Sequence, residues 1–399
     1  MLVEASSQGG AVEDRPAAWG AVFALSLGAF ALVASEFMPV SLLTPIASDL
    51  HVTEGQAGQA ISVSGAFAVF TSLFLSSIVG QLDRKLLLLV LTGLMIVSGT
   101  IVAFAPNYVL FMVGRAFIGV AVGGFWSLSA AIAIRLVPTR SVPRALAIFN
   151  AGSALATVVA APLGSFLGGL IGWRLAFFCL VPVAGIVLVW QLLSLPSMKA
   201  VARPGVANVF RLLGRPVVAV GMVACALFFM GNFALFTYLR PFLETVGHVS
   251  VTTLSLLLLM LGVTGFIGTT LIGGFVQKSL YGTLAVIPAL MAVIGLGLVA
   301  LGSWLAATAL LLALWGLFAT SAPVGWWTWL AKTLPHDAEA GGGLLVAIVQ
   351  IAITVGATVG GILFDASGYQ ATFGASAAIL VIAALLTVMT ARTARRQPA

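Results

Sequence analysis

The sequence predicts an all-α membrane protein in which twelve transmembrane helices form two six-helix repeats of the same orientation. Of its 399 residues, 61% are hydrophobic and 7% are charged, and the mean hydropathy is +1.17. Soluble domains carry roughly 25% charged residues. Apolar runs of about the 20 residues that cross a bilayer recur along the chain, and a weak internal repeat relates its two halves. We therefore expect a lipid bilayer around the protein.

Twelve apolar runs, separated by charged residues, prolines and glycines, give the predicted spans. They cover roughly residues 19–46, 57–79, 86–105, 109–135, 144–168, 173–195, 217–239, 252–275, 280–301, 304–331, 341–364 and 370–391. The resulting organisation is an N-terminal tail, a six-helix bundle, a linker, a second six-helix bundle and a C-terminal tail, at 1–18, 19–195, 196–216, 217–391 and 392–399.

The internal repeat supports this division into halves. Residues 172–174, Gly-Trp-Arg, recur in the second half as Gly-Tyr-Gln at residues 368–370. An even number of spans in each half gives both repeats the same orientation, so the axis that relates them runs along the membrane normal. Binding sites are then expected between the halves.

The distribution of basic residues predicts the orientation in the membrane. All but three of the 18 Lys and Arg residues fall on the same side as the N-terminus; Arg174 and Arg240 lie on the other side and Arg115 lies within a span. Because cytoplasmic loops are enriched in Lys and Arg, both termini are predicted to be cytoplasmic. The net charge of +7 is spread over short loops and not gathered on one face, so we expect no nucleic-acid partner.

The first span contains a carboxylate, Glu36, inside an otherwise apolar run. A charge near the bilayer centre costs about 3 kcal/mol on insertion scales, so Glu36 is a functional candidate. Pro39 removes a helical hydrogen bond one turn later and is expected to kink the helix and open backbone beside the acid. The alternative is a neutral, hydrogen-bonded core glutamate.

On the fourth span, Arg115, Gly119, Gly123 and Trp126 share one helical face with a glycine groove. An ion pair or water-linked contact between Arg115 and Glu36 is one interpretation, and snorkelling of Arg115 to the outer interface is the other. For Trp126, substrate contact and plain packing are equally open.

The seventh span places Phe229, Asn232 and Phe236 on one face with Tyr238 adjacent. Flat apolar rings and an amide that both donates and accepts suit a planar polar ligand. Helix packing by the same residues is the alternative, because amides also join helices in membranes. Gln350, in the middle of the eleventh span, has the same two interpretations.

Three tryptophans, Trp326, Trp327 and Trp329, lie near the cytoplasmic end of the tenth span. Indole rings are enriched at both membrane interfaces. We expect an aromatic belt there.

Enzyme chemistry finds little support in this sequence. The histidines His51, His248 and His336 fall outside the predicted spans, and no second acid accompanies Glu36 within them. No acid–base pair or metal cluster can be assembled. The two cysteines lie in apolar runs, which argues against disulfides. We expect neither a cofactor nor a metal.

These residues resemble the major facilitator superfamily, in its bacterial drug:proton antiporter branch and most of all its exporters of purine ribonucleosides. The resemblance covers essentially the whole chain. It rests on Glu36-Phe37-Met38-Pro39-Val40-Ser41-Leu42-Leu43-Thr44-Pro45, Gly123-Gly124-Phe125-Trp126-Ser127, Ala161-Pro162-Leu163-Gly164-Ser165-Phe166-Leu167-Gly168 and Phe236-Thr237-Tyr238-Leu239-Arg240-Pro241.

The resemblance implies roles for three motifs. Asp83 and Arg84 match the loop motif between spans 2 and 3, where they would gate the cytoplasmic end, although Leu86 and Leu87 replace its later Gly and Arg; an ordinary basic loop is the alternative. Arg115 with Gly119 matches a fourth-span motif of proton-coupled members. Pro162 and Gly164 retain part of the fifth-span antiporter motif and are assigned to gating.

The resemblance also implies a function, proton-driven export of a small organic solute by alternating access, in which protonation of Glu36 and substrate occupation exclude each other. Purine ribonucleosides such as inosine and guanosine are the first candidates; drug efflux with drug resistance, or sugar efflux, is the alternative, and a non-transporting membrane sensor is another. A monomer in the bacterial inner membrane is expected. In this superfamily spans 1, 4, 7 and 10 line the cavity, which would gather Glu36, Arg115, Trp126, Phe229, Asn232 and Phe236.

Overall fold

The computed structural model describes residues 17–79, 82–198, 211–335 and 337–396, and the regular elements in these ranges are helical. Ten helical stretches within them are long and apolar enough to cross a membrane. In the N-terminal half the helices are α1 (Trp19–Leu50), α2 (Glu54–Val79), α3 (Arg84–Ala103), α4 (Tyr108–Arg135), α5 (Val142–Phe178) and α6 (Leu180–Ser194).

The C-terminal half follows the same plan with two differences. Its seventh span is broken after Phe236 into a long and a short helix, and its last two spans are joined. The helices are α7 (Pro216–Phe236), α8 (Leu239–Thr245), α9 (Val251–Lys278), α10 (Leu280–Leu301), α11 (Leu305–Thr333) and α12 (Ala338–Arg396).

Two glycines divide the longest helical stretches. These stretches cover 56 and 55 residues, and in each the helix is interrupted where Gly172 (φ 82°) and Gly368 (φ 77°) adopt left-handed backbone angles. Such angles are open to glycine at no steric cost. Dividing both stretches gives twelve crossings, which confirms the predicted number, and the two glycines occupy the positions that the internal repeat relates.

Helix α1 remains helical through two prolines, Pro39 and Pro45. Proline has no backbone N–H, so the carbonyl four residues earlier loses its helical donor. The carbonyls concerned are those of Ser35 and Ser41. Each one needs a hydrogen bond from outside the helix, because an unpaired backbone group is costly in an apolar environment.

The two halves meet along α2 with α12 and along α5 with α9. Glycines allow close approach there: a Cβ added to Gly262 of α9 would lie 2.7 Å from the backbone of Val158 in α5. Other cross-half contacts lie toward the end of the molecule where α1 ends and α2 begins, which we call the α1–α2 end. The opposite end, where α2 leads to α3, is the α2–α3 end.

The expected aromatic belt is wrong for two of its three members. Trp326 and Trp329 are 2% and 0% exposed in the core of the C-terminal half, whereas Trp327 is 48% exposed. The buried indoles pack edge to face at 5.6 Å, and Gly221 of α7 leaves the room that the Trp329 ring occupies. Here tight helix packing decides the position of the rings.

Candidate functional site

The carboxyl group of Glu36 lies at the contact between the halves. Glu36 is 4% exposed on α1, and its Oε1 accepts a hydrogen bond from Nε2 of Gln350 on α12 at 3.3 Å. Gln350 is itself 6% exposed. The structure therefore joins the predicted acid of one half to a predicted amide of the other.

Arg115 of α4 reaches the same turn of α1, but it contacts the main chain. Its Nη1 donates to the Ser35 carbonyl at 2.8 Å, and its Nη2 donates to the Glu36 carbonyl at 2.8 Å. Its Nε donates to the carbonyl of Ala60 in α2 at 3.1 Å. The side chain is fully buried, so it does not snorkel. Because Pro39 cannot bond to Ser35, the guanidinium supplies the missing donor.

An aromatic group lies beside this turn. Phe37 of α1 stacks on Phe233 of α7 with ring centroids 5.5 Å apart and planes at 29°. The predicted ligand contacts Phe229 and Phe236 are partly buried and pack in the same apolar cluster. The predicted face of α7 thus meets α1 across the two halves.

Two amide oxygens in this region are buried without a hydrogen-bond partner among the described residues. They are Oδ1 of Asn232 and Oε1 of Gln350. Asn232 is 8% exposed. A buried acceptor without a donor costs about 1–3 kcal/mol. Each of these oxygens is therefore an acceptor with unused capacity at the contact of α7, α12 and α1.

Trp126 belongs to the N-terminal half's own aromatic packing. Its ring makes edge contacts with Phe125 at 6.4 Å and with Phe149 at 5.8 Å. It is partly buried, and together with Phe37 it packs against a small apolar cluster of α1 and α5. The structure brings Trp126 near the Glu36 turn through this cluster.

Tyr238, also a predicted ligand contact, lies in the packed α1–α2 end. It is fully buried, its hydroxyl donates to the Ala357 carbonyl at 2.8 Å, and its ring stacks on Phe364 at 5.3 Å. In this conformation it fills the interface between α2 and α12.

The predicted gating pair ties α3 to the chain segment after α6. Asp83 caps α3 by accepting from the Lys85 amide at 2.7 Å, and it also accepts from the Ser197 hydroxyl and from the Met198 amide at 3.1 Å. The bond from Ser197, followed by those from the Met198 and Lys85 amides, holds the pKa of Asp83 below its usual value. The backbone N–H of Arg84 donates to the Met198 carbonyl at 2.9 Å.

The other predicted gating residues, Pro162 and Gly164, are buried on α5. A Cβ added to Gly164 would lie 2.7 Å from Oγ of Ser41 and 3.3 Å from Cγ of Met38. This glycine lets α5 pack tightly on the proline-containing part of α1.

Sequence reasoning missed two residues that join the halves, Arg240 and Asp365. Arg240 of α8 donates to the Ser41 carbonyl of α1, and Asp365 of α12 accepts from the first turn of α2. The signal for Arg240 was its place beside Pro241 in a run that carried the resemblance. Asp365 gave no signal beyond an acid near the end of a span.

Two six-helix repeats, with a buried acid, amides and an arginine where they meet, define a multi-pass membrane protein of the secondary-transporter class. The family model "Major Facilitator Superfamily" matches residues 25–344. The chain belongs to the Major Facilitator Superfamily, and it is therefore a transporter-family protein and not an enzyme.

The chain is also similar to individual proteins along nearly its whole length. The chain is 62% identical to "Transcription regulatory protein OpdE" of Pseudomonas aeruginosa over 95% of this chain and 96% of that protein. It is 40% identical to "Purine ribonucleoside efflux pump NepI" of Salmonella paratyphi B over 94% of both chains. A solved bacterial homologue of the human lysosomal transporter Spinster has the same fold, with a TM-score of 0.78 at 17% identity over 96% of this chain and 100% of that one.

Proposed function

We propose that this protein is a proton-coupled exporter of purine ribonucleosides or closely similar planar polar solutes, working by alternating access in a bacterial inner membrane. The observation that carries the proposal is the buried carboxyl group of Glu36, whose hydrogen-bond partner Gln350 belongs to the other half. A titratable group in that position links a proton to the relative position of the halves. The 40% identity to a purine ribonucleoside efflux pump supports the cargo.

The chemistry of the pair provides the link. An ionised Glu36 carboxylate is acceptor-only and can use only the NH₂ group of Gln350. A neutral carboxylic acid can also donate a hydrogen bond through its O–H group. Oε1 of Gln350 can accept it, because this oxygen has no hydrogen-bond donor among the described residues. Protonation therefore allows two hydrogen bonds between the halves where the ionised form allows one. Loss of the proton replaces these two neutral bonds by one charge-assisted bond, so the connection between the halves depends on the proton.

The membrane potential can drive useful export through one such proton. Moving one charge through 100 mV releases about 2.3 kcal/mol. This energy supports a gradient of a neutral solute of roughly fiftyfold, before any pH gradient is added.

The surroundings of the acid suit a planar polar cargo. Phe229 and Phe236 offer ring faces, on which an aromatic base gains about 1 kcal/mol by stacking. The unpartnered Oδ1 of Asn232 accepts from N–H or O–H groups, which a purine ribonucleoside carries on its ribose and base edge. No charge on the cargo is needed.

We place the α1–α2 end outside the cell, because the opposite end carries most of the basic residues. The cross-half contacts near the α1–α2 end then correspond to a conformation closed to the outside.

Transport of labelled inosine by proteoliposomes tests the proposal. Wild-type protein should move inosine against its concentration gradient toward the acidic side of the liposome membrane. Glu36→Gln should lose this proton-driven accumulation but should still exchange inosine when its concentration is equal on both sides. Glu54→Gln, the same chemical change in the first turn of α2, serves as the control and should behave as wild type. Undiminished acid-driven transport by Glu36→Gln would refute the proton role.

A second candidate is a membrane sensor without turnover, favoured by the 62% identity to a protein named as a transcription regulator. A sensor would bind a solute and would not exchange it, so saturable inosine binding with no counterflow selects this alternative. A binding screen of purine nucleosides against drugs and sugars identifies the cargo class.

A further inference from the structure

A buried arginine connects the C-terminal half to α1 at the α1–α2 end. Arg240 of α8 is 5% exposed, and its Nη1 donates to the Ser41 carbonyl. This carbonyl lacks a helical donor because the residue four positions later is Pro45. On its other side the guanidinium is held by Glu244, with Nε and Nη2 at 2.9 and 2.8 Å from the same carboxylate oxygen.

The two carbonyls that the prolines of α1 leave without a helical donor thus receive hydrogen bonds from different halves of the protein. The carbonyl freed by Pro39 is bonded by Arg115 of the same half, so that contact moves with α1 as a unit. The carbonyl freed by Pro45 is bonded by Arg240 of the opposite half. Only the second contact must break when the halves separate at this end.

A second cross-half contact lies at the start of α2. The carboxylate of Asp365, on α12, accepts from the backbone N–H of Gly55 at 2.9 Å and from the Thr53 hydroxyl at 2.5 Å. The first turn of a helix has N–H groups without helical acceptors and a partial positive charge, so a carboxylate binds well there. An acid of one half therefore caps a helix of the other.

We propose that Arg240 and Asp365 form a latch that keeps the transporter closed at the α1–α2 end. Both residues position the halves and neither touches the Glu36 site. Each contact joins a charged side chain of the C-terminal half to a main-chain group of the N-terminal half, and Asp365 also accepts from the Thr53 hydroxyl. When the latch opens, Arg240 keeps its bond to Glu244, and the exposed carboxylate of Asp365 is solvated by water, so neither charge is left buried without a partner. The latch can therefore open and close repeatedly.

Losing one hydrogen bond to a charged group should shift the equilibrium between closed and open forms by about tenfold or more. Distances between spin labels measure this shift directly in the full-length protein in nanodiscs without substrate. One label pair, His51→Cys with Ser250→Cys, spans the halves at the α1–α2 end. A second pair, Arg140→Cys with Lys278→Cys, spans them at the α2–α3 end. All four positions are exposed, and both pairs require Cys179 and Cys225 to be replaced by serine.

We expect Arg240→Met and Asp365→Asn each to raise the long-distance population of the first pair by about tenfold and to shorten the second. The matched control is Arg174→Met. It removes another arginine at the same end, whose ion pair with Asp49 joins α5 to α1 within one half, and it should leave both distributions unchanged.

Unchanged distances in both latch variants, with melting temperatures like that of wild type, would overturn the latch. Equal changes in the Arg174→Met control would overturn it too, because the effect would then be general loosening of this end. The measurement needs no substrate and no proton gradient, so its outcome is independent of the proposed cargo and of the role of Glu36.

Discussion

Replacing Asn232 with leucine should weaken nucleoside binding without destabilising the protein. The Asn232 side chain is 8% exposed on α7, and its Oδ1 has no donor among the described residues. Leucine has the same branched shape and the same number of side-chain heavy atoms, and it has no polar atoms. The substitution removes an acceptor that a solute could use and also removes a buried polar atom that the empty protein does not satisfy.

The substitution should weaken inosine binding and stabilise the protein without solute, and the two free-energy changes should be comparable in size. A solute donor that meets Oδ1 recovers part of the ~1–3 kcal/mol cost of a buried, unpaired acceptor. A loss of about 1.4 kcal/mol weakens the affinity for inosine about tenfold. In the protein without solute the same replacement removes an unpaired acceptor, so the melting temperature should stay the same or rise.

Binding of labelled inosine to purified protein, together with thermal unfolding in detergent, measures both quantities. The control is Gln191→Leu, which removes a buried amide of α6 whose Oε1 accepts from the Thr92 hydroxyl at 2.8 Å. This variant acts within one half, so it should keep the affinity; its melting temperature should change little, because loss of the bond to Thr92 is offset by removal of Nε2, which has no partner among the described residues. Unchanged affinity in Asn232→Leu would refute the assignment of this oxygen to the solute.

Three further predictions concern the contacts of Gln350, Asp83 and Gly262. Gln350→Leu removes the hydrogen-bond partner that Glu36 has in the other half. We expect acid-driven efflux to fall about tenfold, while exchange of inosine at equal concentrations on both sides persists. Equal losses in both assays would argue for a general packing role. Because bonds to the segment after α6 depress the pKa of Asp83, its stabilising effect is complete at neutral pH and is lost as the pH falls through that lowered pKa. The melting temperatures of wild type and Asp83→Asn should therefore converge on acidification, and a constant gap would refute the ionic contribution. Gly262→Leu brings side-chain atoms against the backbone of α5, so the distance between the spin labels at the α1–α2 end should increase. The control is Gly273→Leu, on the same helix with open space around it, which should leave that distance unchanged.

The fold was predictable because a bilayer imposes long apolar runs, and such runs are visible in the sequence. The importance of Glu36 was predictable for the same reason, since a lone acid in such a run is costly. The contacts of Arg115 were not predictable in detail, because charges suggest ion pairs, whereas the structure directs this guanidinium to carbonyls. The site of Tyr238 depends on how α2 meets α12, which no local pattern encodes.

The backbone carbonyl of Ser41, which has no donor within its own helix, affects how related sequences should be compared. Every residue type carries a carbonyl, so Arg240 places no demand on the side chain of Ser41 for this contact. The demand falls on Pro45, which leaves that carbonyl free and which Arg240 does not need to touch. In an alignment of relatives, covariation should therefore link Arg240 with Pro45, and a method that interprets coupled positions as touching side chains would assign this contact one helical turn too far along α1.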